Sequence, residues 1–162
     1  TALGEYRPKP PGTRTAHGDV TPWIGVGYAV SQDGVQWTKP VDDLLIPPRG
    51  LDAEPYEYIC SKPFVMREAG GWRMWVSSIG VAYRIRSLTS VDGLDWHWTP
   101  SPPDGELGIG PPGSFDDHQR SYASVLKNGE DYIMWYTGNG YGQTGMGVAT
   151  GAAVARTGAD NG

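Results

Sequence analysis

Glu57 and Asp117 are the two side chains that type and spacing best suit to chemistry. They lie 60 residues apart, each eight positions ahead of a valine (Val65 and Val125) in stretches that otherwise match. Two carboxyls brought together from matching positions could split a glycosidic bond. One, holding its proton, would protonate the leaving oxygen, and the other would act as base or nucleophile. The same alignment sets Tyr58 against His118 and Cys60 against Arg120. An arginine fork can grip sugar hydroxyls or a carboxylate, and a histidine can donate to a hydroxyl near neutral pH. The plainer alternative makes Glu57 a solvated loop residue, pairs Asp117 with Arg120, and has Arg120 tie neighbouring units together.

Other chemistries find little support. Asp116, Asp117 and His118 bunch in one loop without a recognised metal spacing, so no metal site and no cofactor are expected. Gly138-x-Gly140-x-Gly142 superficially resembles a phosphate loop, but it precedes a strand rather than a helix and lacks Gly-Lys-Ser/Thr, so a strained wide turn is the reading. There is no Gly-x-Ser-x-Gly elbow for acyl transfer. The single cysteine, Cys60, excludes a disulfide framework and multi-thiolate metal sites, and is read as a small buried filler.

The elements that would position these groups repeat. Ser31-Gln32-Asp33-Gly34-Val35-Gln36-Trp37 returns 59 residues on as Ser90-Val91-Asp92-Gly93-Leu94-Asp95-Trp96. Trp72-Arg73-Met74-Trp75-Val76-Ser77 returns 60 residues on as Tyr132-Ile133-Met134-Trp135-Tyr136-Thr137. Lys62 to Arg67 and Ser121 to Lys127 read as inner strands, with tight turns at Glu68-Ala69-Gly70-Gly71 and Asn128-Gly129-Glu130. Third strands are expected over Ile24 to Val30, Tyr83 to Thr89 and Met146 to Thr150. The Ser-x-Asp-Gly turns then lead into short outer strands carrying Trp37 or Trp96, the Asp capping its own backbone. No window supports an amphipathic helix.

Four antiparallel strands at this period make the chain all-β and describe β-propeller blades. The organisation expected is an irregular segment over 1–22, blades over 23–150 (a half-blade 23–43, a blade 44–100 and a blade 101–150), and a flexible tail over 151–162. Two and a half blades cannot close a ring. The chain is then either part of a longer propeller, lacking an N-terminal half, or a ring completed by another chain, as in a homodimer. The repeating Trp37, Trp75, Trp96 and Trp135 are expected to pack between blades. Trp23, Tyr56, Tyr58, Tyr122 and Tyr141 do not repeat and are the candidates for stacking on sugar faces. Arg84 and Arg86 alternate along a strand and should share one face, toward solvent or a neighbouring blade.

Composition agrees. The 162 residues include 24 Gly and 14 Pro, as blade turns require, and 7 Trp and 9 Tyr against 2 Phe. With 13 basic and 18 acidic residues the net charge is −5, a balance that argues against nucleic acid or an anionic membrane as partner. No apolar run reaches membrane-spanning length, and residues 1–22 lack the apolar core of a signal peptide, so a soluble, cytoplasmic chain is the expectation.

The blade pattern resembles that of five-bladed glycosidase propellers, the architecture of glycoside hydrolase families 32, 43 and 130. Phe115-Asp116-Asp117-His118-Gln119-Arg120-Ser121, with Met134-Trp135-Tyr136-Thr137-Gly138-Asn139-Gly140-Tyr141-Gly142-Gln143-Thr144-Gly145, is similar to the closing blade of bacterial glycosidase-like proteins found with surface-polysaccharide genes. The resemblance covers roughly Ile24 to Thr150. It implies a carbohydrate-active protein acting on a poly- or oligosaccharide, with Glu57 as acid, Asp117 as its charged partner, and Tyr58, His118, Arg120, Asn139 and Tyr141 as substrate contacts. Such relatives are about twice as long, and in them the nucleophile or base usually comes from the first blade, which this chain lacks. A non-catalytic carbohydrate-binding or assembly module is therefore the alternative.

Overall fold

The computed structural model describes residues 2–8, 19–50, 56–102 and 105–152. The elements are β1 (Ala2–Pro8), β2 (Val20–Gly25), β3 (Ile59–Glu68), β4 (Gly71–Ile79), β5 (Tyr83–Ser90), β6 (His97–Trp98), β7 (Ser121–Asn128), β8 (Asp131–Thr137), α1 (Asn139–Gly142) and β9 (Met146–Ala152). They form an essentially all-β structure of two sheets, one ordered β1-β2-β3-β4-β5-β6 and the other β7-β8-β9. Pairing is antiparallel except where β2 meets β3 in parallel at Ile24 and Ile59. Among the described residues no helix is long and apolar enough to cross a membrane.

The sequence repeat is a repeat of geometry. In β3–β4, Ser61 pairs with Ser77, a bulge follows, and Phe64 and Val65 then face Trp75 and Met74. In β7–β8, Ser121 pairs with Thr137, a bulge follows, and Ser124 and Val125 face Trp135 and Met134. Both hairpins close through two residues, with positive φ at Gly71 in one and Gly129 in the other. The Ser-x-Asp-Gly turns also match in their bonding. Asp33 Oδ1 accepts the amides of Val35 and Gln36, while Asp92 Oδ1 accepts those of Leu94 and Asp95. Trp37 and Trp96 each donate their indole N–H to the glycine carbonyl three residues back. The backbone bonds to the carboxylates hold Asp33 and Asp92 below the usual aspartate range.

Alternation along β4 divides the core. Met74 and Val76 pack with Cys60, Leu88, Val26 and Ile46 on one side. Trp75 packs with Ile85, Val125 and Tyr136 on the other, where the second sheet lies against the first. The tryptophans expected between units therefore differ in fate. Trp75 is 2% exposed because the β7–β9 sheet covers it, whereas its counterpart Trp135 is 37% exposed and Trp37 is 61% exposed.

Two expectations need correction. The segment 1–22 is not irregular throughout: β1 and the start of β2 form an antiparallel pair, with Pro8 tolerated on a strand at the sheet edge. The strand expected over Ile24 to Val30 ends at Gly25 and continues only as isolated bridges, Val26 to Ile46 and Val30 to Thr38. Of the two settings expected for Arg86, solvent or a neighbouring unit, the solvent one does not hold: it is buried and donates to Ser101 Oγ. Of the tail over 151–162, Gly151 and Ala152 finish β9, and residues 153–162 lie outside the described residues.

Candidate functional site

Both carboxylates sit in the short approach to an inner strand, two residues before β3 for Glu57 and four before β7 for Asp117. Their surroundings are opposite. Glu57 has no exposed surface. Its Oε1 accepts the Arg49 amide at 3.1 Å, its Oε2 accepts the Ser78 hydroxyl, and the Arg49 guanidinium lies 3.8 Å away. Backbone bonds in both directions to Gly50 fix the residue in place. Burial raises the Glu57 carboxyl above its usual range, against the lowering pull of Ser78, Arg49 and Arg86.

Asp117 is held below its usual range, first by the Gly113 amide (2.7 Å to Oδ2) and then by the Asn139 side-chain amide (2.8 Å to Oδ1). His118 Nε2 stands 3.7 Å from Asp117 Oδ1, with its ring largely in solvent. Burial thus disfavours the charged form of Glu57, whereas the Gly113 and Asn139 donors favour the charged form of Asp117.

The loop that carries Asp117 is built by its neighbours. Asp116 is buried and accepts Arg120 Nε at 2.7 Å, the Tyr136 hydroxyl at 2.8 Å and the Ser114 hydroxyl at 2.8 Å. Burial opposes ionisation of Asp116, but these donors outweigh it and lower its pKa. Arg120 also donates to the Leu107 carbonyl at 2.6 Å and lies 5.3 Å above the Tyr136 ring. Arg120 is therefore paired with Asp116, not Asp117, through Nε, and its Nη1 is taken by the Leu107 carbonyl. Asn139 is engaged too, its Oδ1 accepting the His118 and Gln119 amides. Tyr58 is a core residue packed with Ile59, Ile79 and Tyr83, so it presents no stacking face.

Tyr141 keeps 41% of its surface exposed. It stacks on Tyr122 at 6.3 Å and 18°, and Tyr83 meets both rings edge-on. Trp23 is covered by Arg7 at 4.0 Å, and Tyr56 packs against the Tyr58 cluster. The glycine-rich segment makes a wide turn, with Gly140 and Tyr141 in the left-handed region and the Gly138 amide bonded to the Gly145 carbonyl. No group of three metal-ligating side chains occurs among the described residues. A cavity of about 230 Å³ opens elsewhere, between Val26, Tyr28, Trp72, Met74 and Trp96, and neither carboxylate lines it.

Sequence reasoning weighed Asp116 only as a metal ligand and missed both its buried contacts and the place of Arg49 and Lys62. Asp116 is adjacent to Asp117, and only the turn of the backbone decides which of the two turns inward. Lys62 had a usable signal, because it aligns with Tyr122 at the repeat offset of 60.

No family model matches the chain. It is 37% identical over 124 residues to uncharacterized protein Rv1502 of Mycobacterium tuberculosis (strain H37Rv), and equally to uncharacterized protein MT1551 of strain CDC 1551. Each match covers 76% of this chain but 39% of the relative, so the chain spans about two fifths of these curated proteins. Among solved structures it is similar to a glycoside hydrolase, with a TM-score of 0.58, 17% identity, and coverage of 83% of this chain and 37% of the other. A solved complex of BT0996 and RGII gives a TM-score of 0.56 at the same identity and coverage. The chain therefore has a glycosidase-like fold.

Proposed function

We propose that the chain forms blades of a β-propeller glycosidase that processes a poly- or oligosaccharide, with Glu57 as general acid and Asp117 as the charged carboxylate. One observation carries this reading: two carboxyls at repeat-equivalent positions are pushed in opposite directions by their surroundings. Divergent settings of that kind separate an acid from its partner in glycoside cleavage. Glu57 would give its proton to the leaving oxygen. Asp117 would stabilise positive charge at the ring carbon or activate a water, and His118 would reach a hydroxyl beside it. Glu57 is closed off here, so this role requires the carboxyl to be uncovered as substrate enters. The remaining blades would come from sequence beyond this stretch, consistent with the longer relatives.

Hydrolysis of paired glycosides tests the reading, one with a poor alkyl leaving group and one with a dinitrophenyl group that needs no acid. Glu57→Gln should abolish turnover of the first and largely spare the second, while Asp117→Asn should impair both. Glu57→Gln leaving both rates unchanged would remove the acid assignment.

A second reading, a non-catalytic carbohydrate-binding or assembly module, is favoured by the enclosure of Glu57 with both oxygens engaged. The exposed Trp135 face fits it as well, since the matching Trp75 face is covered by a neighbouring unit. Sugar binding without turnover of either glycoside would select this reading.

A further inference from the structure

We infer that Lys62, Tyr122 and Tyr141 form a binding platform for an anionic sugar ring, one carrying a carboxylate. This rests on the carbohydrate reading above and adds to it the charge of the ligand.

Lys62, Tyr122 and Tyr141 are the non-glycine residues with positive φ among the described residues, at 52°, 58° and 62°. Side chains with a Cβ pay a steric cost there, and such conformations persist only where the surrounding structure enforces them. Lys62 and Tyr122 occupy the equivalent bulges of β3 and β7, each five residues after its carboxylate, Glu57 or Asp117. Bulges re-aim side chains, and here both aim at the same place.

The three residues meet in space although they come from separate strands and a turn. Lys62 Nζ lies 6.0 Å above the Tyr122 ring, and Tyr122 stacks on Tyr141. Tyr83 braces the pair edge-on, and the Tyr122 amide is tied to Ser77 Oγ at 2.9 Å. Burial, first, and then the neighbouring tyrosines hold the Tyr83 hydroxyl neutral well above its usual range. No carboxylate lies within ion-pair distance of Lys62 among the described residues, and the side chain is exposed, as is Tyr141. An ammonium beside the exposed Tyr141 ring and the half-buried Tyr122 suits a sugar that is apolar on one face and negatively charged at its edge.

Binding of a galacturonate trisaccharide and its fully methyl-esterified form, measured by calorimetry on the whole chain, separates the possibilities. The acid should bind roughly tenfold tighter than the ester, the size of one charge-assisted hydrogen bond at a part-exposed site. That margin should shrink as salt is raised. Lys62→Met should bring the two affinities together, Lys62→Arg should keep them apart, and Tyr141→Ala should weaken both equally. Equal affinity for acid and ester would overturn the anionic assignment while leaving the carbohydrate reading intact. Binding of neither would overturn both. A preference that survives Lys62→Met would overturn the role of Lys62.

Discussion

Asp116→Ala is the substitution whose cost follows most directly from the structure. The carboxylate is buried and gathers three donors, Arg120 Nε, Tyr136 Oη and Ser114 Oγ. Removing it leaves a guanidinium that is 13% exposed without its ion pair and the buried Tyr136 hydroxyl without its acceptor. Breaking a buried pair from one side costs about 3–5 kcal/mol. With a urea m-value of about 2 kcal/mol/M for a domain of this size, the unfolding midpoint should fall by roughly 1.5–2.5 M. Asp116→Asn/Arg120→Met, which removes both charges, should cost clearly less than the sum of its single variants, because each single strands the other partner. The pH dependence has a definite sign. The native Asp116 pKa is lowered, so its contribution is complete above the ordinary aspartate pKa and is lost as pH falls through the lower native value. The gap between wild type and Asp116→Ala should therefore narrow in acid. A midpoint shift corresponding to under about 1 kcal/mol, or strictly additive single variants, would refute the view that this cluster builds the Asp117 loop.

The repeat supplies two further contrasts. Gly71→Ala should destabilise by several times more than Gly129→Ala in thermal unfolding: a Cβ at Gly71 would run into the Ser90 carbonyl, whereas at Gly129 it meets open space. Equal losses would mean that positive φ alone sets the cost. Trp75→Ala should lower stability by about 3–5 kcal/mol, as for a buried aromatic, and Trp135→Ala by clearly less in the isolated chain, because the second face is uncovered. Comparable losses in urea titrations would indicate that another blade already covers Trp135.

Much of this architecture was legible because the repeat writes the same local physics twice. Ser-x-Asp-Gly-x-x-Trp specifies a turn bonded through its own side chains, and both copies adopt it. The hairpins at Gly71 and Asn128-Gly129 followed from the need for positive φ, and the strand partners followed from the shared offset. What escaped depended on contacts that no local pattern encodes. β1 was hidden by Pro8, which a strand at the sheet edge tolerates. Tyr58 reads as an aromatic free for ligand, but the Ile79 and Tyr83 side chains enclose it. The positions of Glu57 and Asp117 were visible, whereas their opposed settings depend on the burial of Glu57, on how the loop folds the Gly113 amide onto Asp117, and on Asn139, which reaches Asp117 from beyond β8.

The proposed roles require the Glu57 and Asp117 carboxyls to be shifted in opposite directions. Carbon-13 NMR titration of the side-chain carboxyls, assigned through Glu57→Gln and Asp117→Asn, measures this directly. Glu57 should titrate above the ordinary glutamate value and Asp117 below the ordinary aspartate value, with a clear interval between them. Two carboxyls titrating together at ordinary values, or in the reverse order, would contradict the assignment of acid and charged partner.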